Sequence, residues 1–356
     1  MEHPNIARVY DAGATPEGLP YFVMEFVDGV PLTTYCDSQR MTIRERLALF
    51  AEVCDAVQHA HQKAILHRDL KPSNVLVTEM DGKPVPKVID FGIAKALEIT
   101  QEEVLQASLA RTQAGMVMGT PQYMSPEQAG SVPDVDTRSD VYTLGIILHE
   151  LLTGQTPLSR DDLKKAALDE VLRMIREVET RRPSSRLTPA TDAIRESSTT
   201  RQTEPSKLSH TLRGDLDWIM LKALEKERER RYQSASLLAE DVRRYLRHEP
   251  VSAGPPQFRY RALKFLRRNR GPVGAAAVIA FTMIGATAFS LRQAFKAEQA
   301  KESAVDEATQ RQELLKEAGN LSHQAAMSRL RGATIGDGRI PEALAYLSRA
   351  LAFDPT

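Results

Sequence analysis

With 356 residues, 42% of them hydrophobic and 26% charged, the chain has room for two or three folded units and the balance of a globular protein rather than of a disordered one. Its 47 basic and 47 acidic side chains cancel, and nothing in that balance marks a nucleic-acid binder. Two cysteines, Cys36 and Cys54, are too few for a disulfide framework; both fall in a helical region and read as buried thiols.

The first elements are extended. His3-Pro4-Asn5-Ile6 leads into a short strand over residues 7–10, and the β-branched and aromatic run over 21–27 is a second strand that ends in the turn pair Asp28-Gly29. Two strands are marginal alone, and the 21–27 run would present an unpaired apolar edge. Over 42–64, Ile43, Leu47, Phe50, Cys54 and Val57 recur at steps of three and four, which predicts a helix with one buried stripe. His59 and His61 stand two apart near its end, so they do not face each other and read as packing or solvent residues. Then comes His67-Arg68-Asp69-Leu70-Lys71-Pro72-Ser73-Asn74, and later Asp90-Phe91-Gly92. Between them two β-branched runs, 74–77 and 86–89, flank a turn at Asp81-Gly82 and predict a hairpin. A polar, helical-looking insert over 98–111 precedes Gly119-Thr120-Pro121-Gln122-Tyr123-Met124-Ser125-Pro126-Glu127. Asp140 opens an apolar helix through Leu144, Ile146, Ile147, Leu151 and Leu152 to Gly154. Residues 181–213, rich in Ser, Thr, Pro and Arg, read as a surface loop, and Arg231-Tyr232-Gln233-Ser234-Ala235 is the last motif of this part.

Any one of these motifs could arise by chance, but their order and spacing resemble eukaryotic-type serine/threonine protein kinases of the bacterial membrane-anchored kind. The resemblance implies an α+β protein-kinase-like fold, mainly the helical C-lobe with a remnant of the N-lobe sheet, and it implies ATP and Mg²⁺ as cofactors. Residues 1–28 would be the N-lobe remnant and hinge, and 29–250 the C-lobe. By this match Asp69 would orient and deprotonate an incoming hydroxyl, and Lys71 would meet the γ-phosphate. Asn74 and Asp90 would supply hard oxygen ligands to Mg²⁺. Met24 would be the gatekeeper, the Glu25 carbonyl and the Val27 amide would bond the adenine edge, and Leu76 would touch the adenine from below. His67, Phe91 and Gly92 complete the loop motifs. Arg68 would pair with a phosphate on the activation segment, with Thr112 as first candidate acceptor. Thr120 would bond Asp69 and Lys71, Asp140 would hold the catalytic-loop backbone, and Arg231 would form a buried ion pair with Glu127. Ser125 stands where the family most often has Ala.

In the family a glycine-rich loop, a lysine strand and a helix with its paired glutamate precede the His-Pro-Asn-Ile motif, and the 356 residues contain none of them. The resemblance is therefore to an N-terminally truncated kinase, either a fragment that starts at an internal methionine or a natural half-kinase used as a scaffold. Removing one charge-stabilising group of this kind costs roughly 10² to 10³ in rate, so the chain as given is expected to transfer phosphate negligibly. The function implied is transfer of the γ-phosphate of ATP to protein Ser/Thr hydroxyls in membrane-anchored signalling. The alternative is a catalytically dead kinase-like membrane scaffold or binding protein.

A basic segment over 251–270, with Arg259, Arg261, Lys264, Arg267, Arg268 and Arg270, leads into an uncharged run over 271–291. That run is about 20 residues, or roughly 30 Å of helix, enough to cross a bilayer; a buried soluble helix is the other reading. The arginines before it put the kinase part in the cytoplasm of a single-pass protein, and Arg292 and Lys296 beyond it weaken that orientation. Residues 292–331 read as a helical stalk. Residues 332–356 resemble part of a tetratricopeptide repeat, which cannot bury its apolar face alone, or are an unrelated amphipathic helix. The partners expected are protein substrates, a membrane through one helix, a protein or peptide ligand for C-terminal repeats, and a second copy in a homodimer; no nucleic acid is expected.

Overall fold

The computed structural model describes residues 2–16, 20–91, 121–130, 135–159, 163, 166–186, 199–255, 257–332, 345, 348 and 349. The chain divides into two units, Met1–Asn269 and Arg270–Thr356.

The first unit starts as an edge of a sheet. Ile6 bridges Val88 in parallel, the Ala7 amide donates to the Val88 carbonyl at 2.9 Å, and the Val88 amide donates to the Asn5 carbonyl at 2.8 Å. Strand β1 (Val9–Ala14) then pairs antiparallel with β2 (Pro20–Met24). The first strand is displaced from the expected 7–10 because the Ala7 amide is already engaged by Val88. The second stops at Met24 rather than 27: the Glu25 amide turns to the Arg8 carbonyl at 2.7 Å, and the Glu25 carboxylate pairs with Lys87. Val9, Tyr10, Tyr21 and Val23 are exposed on this two-stranded ribbon.

A second, three-stranded antiparallel sheet has the order β3 (Val30–Pro31), β4 (Val75–Met80), β5 (Lys83–Val88). Asp81 (φ 52°) and Gly82 (φ 71°) form its two-residue hairpin turn, where positive φ at both positions matches the strand twist.

The helices form the core. α1 (Leu32–Ser38) precedes α2 (Ile43–His61), whose start is fixed by a reciprocal cap: the Glu45 amide donates to Thr42 Oγ1, and the Thr42 amide donates to the Glu45 carboxylate at 2.7 Å. α3 (Pro126–Ala129) is capped by Ser125, and α4 (Thr137–Thr153) runs from its cap Asp136 to Gly154 in the left-handed region. Among the described residues there follow α5 (Leu168–Glu177), α6 (Pro183–Arg186), α7 (Pro205–Leu212), α8 (Asp215–Ala223), α9 (Ala235–Leu246) and α10 (Phe258–Arg268). Leu47, Phe50 and Val57 of α2 pack with Leu144, Ile147 and Leu151 of α4, Ile219 and Met220 of α8, and Leu238 and Val242 of α9. α4 and α8 approach so closely at Gly145 that a Cβ there would lie 2.8 Å from the Ala223 Cβ. Cys36 and Cys54 are buried free thiols, and burial pushes the Cys36 thiol up to about 11 and raises that of Cys54 as well, which disfavours the thiolate at both.

The described parts of segment 181–213, residues 181–186 and 199–213, differ from the expected surface loop. Leu208 and Leu212, one turn apart on α7, are fully buried, and Ser184 on α6 donates its hydroxyl to Asp217 at 2.6 Å. Pro183 and Pro205 stand at helix starts here, where a missing amide is tolerated.

The second unit begins with α11 (Arg270–Gly332), 63 residues or about 95 Å at 1.5 Å per residue. Among the described residues it holds the one helix long and apolar enough to cross a membrane, and none of its apolar window is buried. The expected spanning and stalk segments are thus one continuous helix. The repeat-like reading of 332–356 lies almost wholly outside the described residues.

Candidate active site

The loop between α2 and β4 is shaped from below by Asp140, at the buried start of α4. Its Oδ2 accepts the His67 amide at 2.9 Å and its Oδ1 the Arg68 amide at 3.0 Å, while His61 Nε2 lies 2.7 Å from Oδ2. Burial alone would raise this carboxyl, but the hydrogen bond from His61 and the His67 amide hold it below the usual carboxylate range. His61 is thus a residue that sequence reasoning missed, although a signal existed. The buried stripe Phe50, Cys54, Val57 continues by one further step of four to His61.

His67 is buried, and desolvation keeps its imidazole below the ordinary pKa, so the neutral ring donates from Nε2 to the Ile89 carbonyl at 2.9 Å. Its ring lies 4.8 Å from that of Phe91. Arg68 takes φ 65°, a left-handed conformation costly for a side chain of this size, and its carbonyl accepts Gln128 Nε2 at 2.7 Å. Asp90 (φ 62°) is strained in the same way, so both loop motifs carry a left-handed residue.

Three polar groups converge above this frame. Lys71 Nζ lies 2.6 Å from Asp69 Oδ2, and Asn74 Nδ2 donates to the Asp69 carbonyl at 2.8 Å. A 3₁₀ turn over Pro72–Asn74 folds Asn74 back to make that contact. Because Val75 pairs with Val88 and the Ile89 amide donates to the Asn74 carbonyl at 3.0 Å, the β4–β5 hairpin brings Asn74 beside the segment that ends in Asp90. Asp69 and Asp90 are exposed, while Lys71 is half-buried and Asn74 buried. The cluster therefore offers a carboxylate to solvent, an ammonium beside it, and two hard oxygen donors at the two ends of one hairpin.

On the other flank, Met24 ends β2, and Val27 and Leu76 are half-buried with Phe26 exposed between the first two. The Glu25 side chain is turned away to Lys87 and the Arg8 amide, and the Lys87 hydrogen bond lowers its pKa. Leu76 pairs with Pro31 and Lys87, so that one ion pair links segment 24–27 to the hairpin. Gly92, Thr112 and Thr120 lie outside the described residues.

Glu127 and Arg231 meet in a bidentate pair at 2.7 and 2.9 Å. Arg231 also donates to the carbonyls of Glu225, Arg138 and Lys226, and its guanidinium sits 4.9 Å from the Tyr142 ring centroid. Ser125 uses its hydroxyl twice, capping α3 and bonding Ser139 Oγ at 2.7 Å, which an alanine could not do.

The family described as protein kinase domain matches residues 1–242. Serine/threonine-protein kinase PknB of Mycobacterium tuberculosis is 38% identical over 257 residues, which are 71% of this chain and 35% of that protein. Serine/threonine-protein kinase Pkn1 of Myxococcus xanthus is 40% identical over 172 residues, 48% of this chain and 23% of the relative. A probable serine/threonine-protein kinase of Streptomyces coelicolor is 35% identical over 257 residues, 71% of this chain and 32% of its own length. The chain matches about a third or less of the length of these curated relatives.

Proposed function

The chain belongs to the protein kinase family, and from that premise we propose that it is a serine/threonine protein kinase, moving the γ-phosphoryl group of ATP to hydroxyls of protein substrates. The observation that carries this reading is the contact of Lys71 and Asn74 with Asp69, with Asp90 at the other end of the same hairpin. Phosphoryl transfer asks a protein mainly for positioning and for stabilisation of developing charge. Asp69, exposed, orients the incoming hydroxyl and takes its proton. Lys71, held against Asp69, keeps a cation where the transferring phosphoryl group meets that hydroxyl. Asn74 turns its Nδ2 to the Asp69 carbonyl, which leaves its Oδ1 to pair with the Asp90 carboxylate as a hard-oxygen donor set that fits Mg²⁺. Magnesium bound there would neutralise phosphate oxygens during transfer.

Met24, the Glu25 carbonyl, the Val27 amide and Leu76 would receive the adenine. Arg68 would order the activation segment by pairing with a phosphate, with Thr112 as its acceptor, and Thr120 would bond Asp69 and Lys71. The candidate membrane helix would anchor the enzyme, and the arginines preceding it support a cytoplasmic kinase unit.

The test is transfer of radiolabelled γ-phosphate to a Ser/Thr peptide substrate by the chain fused behind a complete kinase small lobe, beside Asp69→Asn. Loss of the general base should lower the rate roughly 10² to 10⁴-fold. Silence in both proteins would replace the enzyme with a scaffold that binds partners through its large lobe.

A further inference from the structure

Helix α10 has two faces with different fates. Tyr260 and Lys264, one turn apart, fasten it to the lobe: the Tyr260 hydroxyl donates to Asp215 at 2.9 Å, Lys264 pairs with the same carboxylate, and the Val251 amide donates back to the Tyr260 hydroxyl at 3.0 Å. The Tyr260 ring also meets Trp218 edge-on at 5.4 Å. Away from that face, Phe258 is 84% exposed, Phe265 55% and Leu266 46%. Phe258 and Phe265 stand seven positions apart, two turns along one line of the helix, with Ala262 between them. Residues 258–270 contain Arg259, Arg261, Lys264, Arg267, Arg268 and Arg270 and no acidic residue. The uncharged run begins at Gly271, three residues after α10 ends.

We propose that the outward face of α10 lies on an anionic lipid surface, with Phe258, Phe265 and Leu266 entering the interfacial layer and the flanking arginines meeting lipid phosphates. The proposal rests on the membrane reading of α11. Aromatic side chains on one face of a cationic helix are the composition of an element that lies in the plane of a membrane. Cations beside a spanning segment are attracted to an anionic leaflet. Lys264 is neutralised by Asp215, and Arg268 is paired with Glu249 at 3.3 Å. A second copy of the chain is a poorer occupant, because it would set the same cations against one another. Asp215, by holding α10 to α8, makes the helix a fixed part of the lobe rather than a loose tether. The lipid surface would thereby fix which side of the lobe faces the membrane.

The test uses the full chain in lipid nanodiscs whose acyl chains carry bromine, a contact quencher of indole. Phe265→Trp and, independently, Phe258→Trp report on α10; Phe281→Trp reports on the membrane span; native Trp218 gives a constant background. The expected result is loss of emission for Phe281→Trp in every disc. For Phe265→Trp and Phe258→Trp the loss should occur in discs containing phosphatidylglycerol, and be much smaller in purely zwitterionic discs or when Arg259→Gln and Arg261→Gln are added. Quenching of Phe281→Trp with none at either α10 position overturns the proposal while leaving the membrane reading intact. Equal α10 quenching in both lipids, or emission that follows the number of chains per disc, also overturns it, the second in favour of contact between copies. Absence of quenching at Phe281→Trp removes the membrane reading and the proposal with it.

Discussion

Replacing Arg231 should be among the most damaging single changes in the first unit. Its side chain is fully buried, and each of its five N–H donors has an acceptor within 2.9 Å: both oxygens of Glu127 and the carbonyls of Glu225, Arg138 and Lys226. Arg231→Met would fill much of the space but leave a buried carboxylate without a counter-charge and take one donor away from each of three carbonyls. Breaking a buried pair from one side costs about 3–5 kcal/mol, a large share of the roughly 5–15 kcal/mol that holds a typical domain folded. Urea unfolding of the chain in mild detergent, followed by the fluorescence of its single tryptophan, Trp218 on α8, would measure the loss. The double variant Glu127→Leu with Arg231→Met removes the stranded charge, so it should be more stable than the sum of the single variants implies by about 2–3 kcal/mol. It should not recover fully, since the three carbonyls still lack the hydrogen bonds that Arg231 gives them. A cost below about 1 kcal/mol for Arg231→Met, or strict additivity in the cycle, would refute the reasoning.

Lys226 should give stability a distinctive pH dependence. Burial, aided by the neighbouring Arg231 charge, lowers its pKa from 10.5 to about 8, so between those values the unfolded chain holds a proton that the folded chain has released, and stability rises with pH. Across that window the gain is at most about 3 kcal/mol, reduced by the solvent that reaches the group, and Lys226→Met should abolish the rise in urea midpoint between pH 8 and 10.5. Gly145→Ala should lower the melting temperature despite the better helix propensity of alanine, because overpacking against the Ala223 Cβ costs about 1–3 kcal/mol, and Ala223→Gly should rescue it; a rise in melting temperature for the single change would count against the close approach. Asp140→Asn leaves one carbonyl oxygen for two amides, and losing a charge-assisted hydrogen bond of about 1.5–3 kcal/mol should speed exchange at the His67 and Arg68 amides roughly 10- to 150-fold, with unchanged protection speaking against Asp140 as the frame of the loop.

Much of the first unit was legible because its helices carry strong local signals. The stripe through Leu47, Phe50 and Val57 and the apolar run after Asp140 give α2 and α4 to within about three residues at their ends, with Thr42 and Gly154 marking ends by their chemistry. The β-ribbon was read less well because its limits are set by partners distant in sequence: Val88 captures Ala7 before β1 can start, and Lys87 draws Glu25 out of β2. Segment 181–213 misled for a related reason. Its composition is that of a loop, yet two leucines at helical spacing suffice to bury α7, and Asp217 supplies the partner that Ser184 needs. At the candidate site, Asp69, Lys71 and Asn74 lie close together in sequence and their convergence could be anticipated. His61 could not be weighed in the same way, since the carboxylate it meets lies 79 residues further along the chain.

The 63 residues of α11 form one helix without interruption, and this has a geometric consequence for anything attached to its far end. A rigid rod conveys rotation and axial displacement that a jointed linker would absorb. Each residue inserted into it turns the distal part by about 100° and moves it outward by 1.5 Å, so angular phase is written into the residue count. Inserting a single residue after Arg292 would therefore rotate the distal end by more than a quarter turn, whereas seven would return it nearly to its starting direction about 10 Å further out.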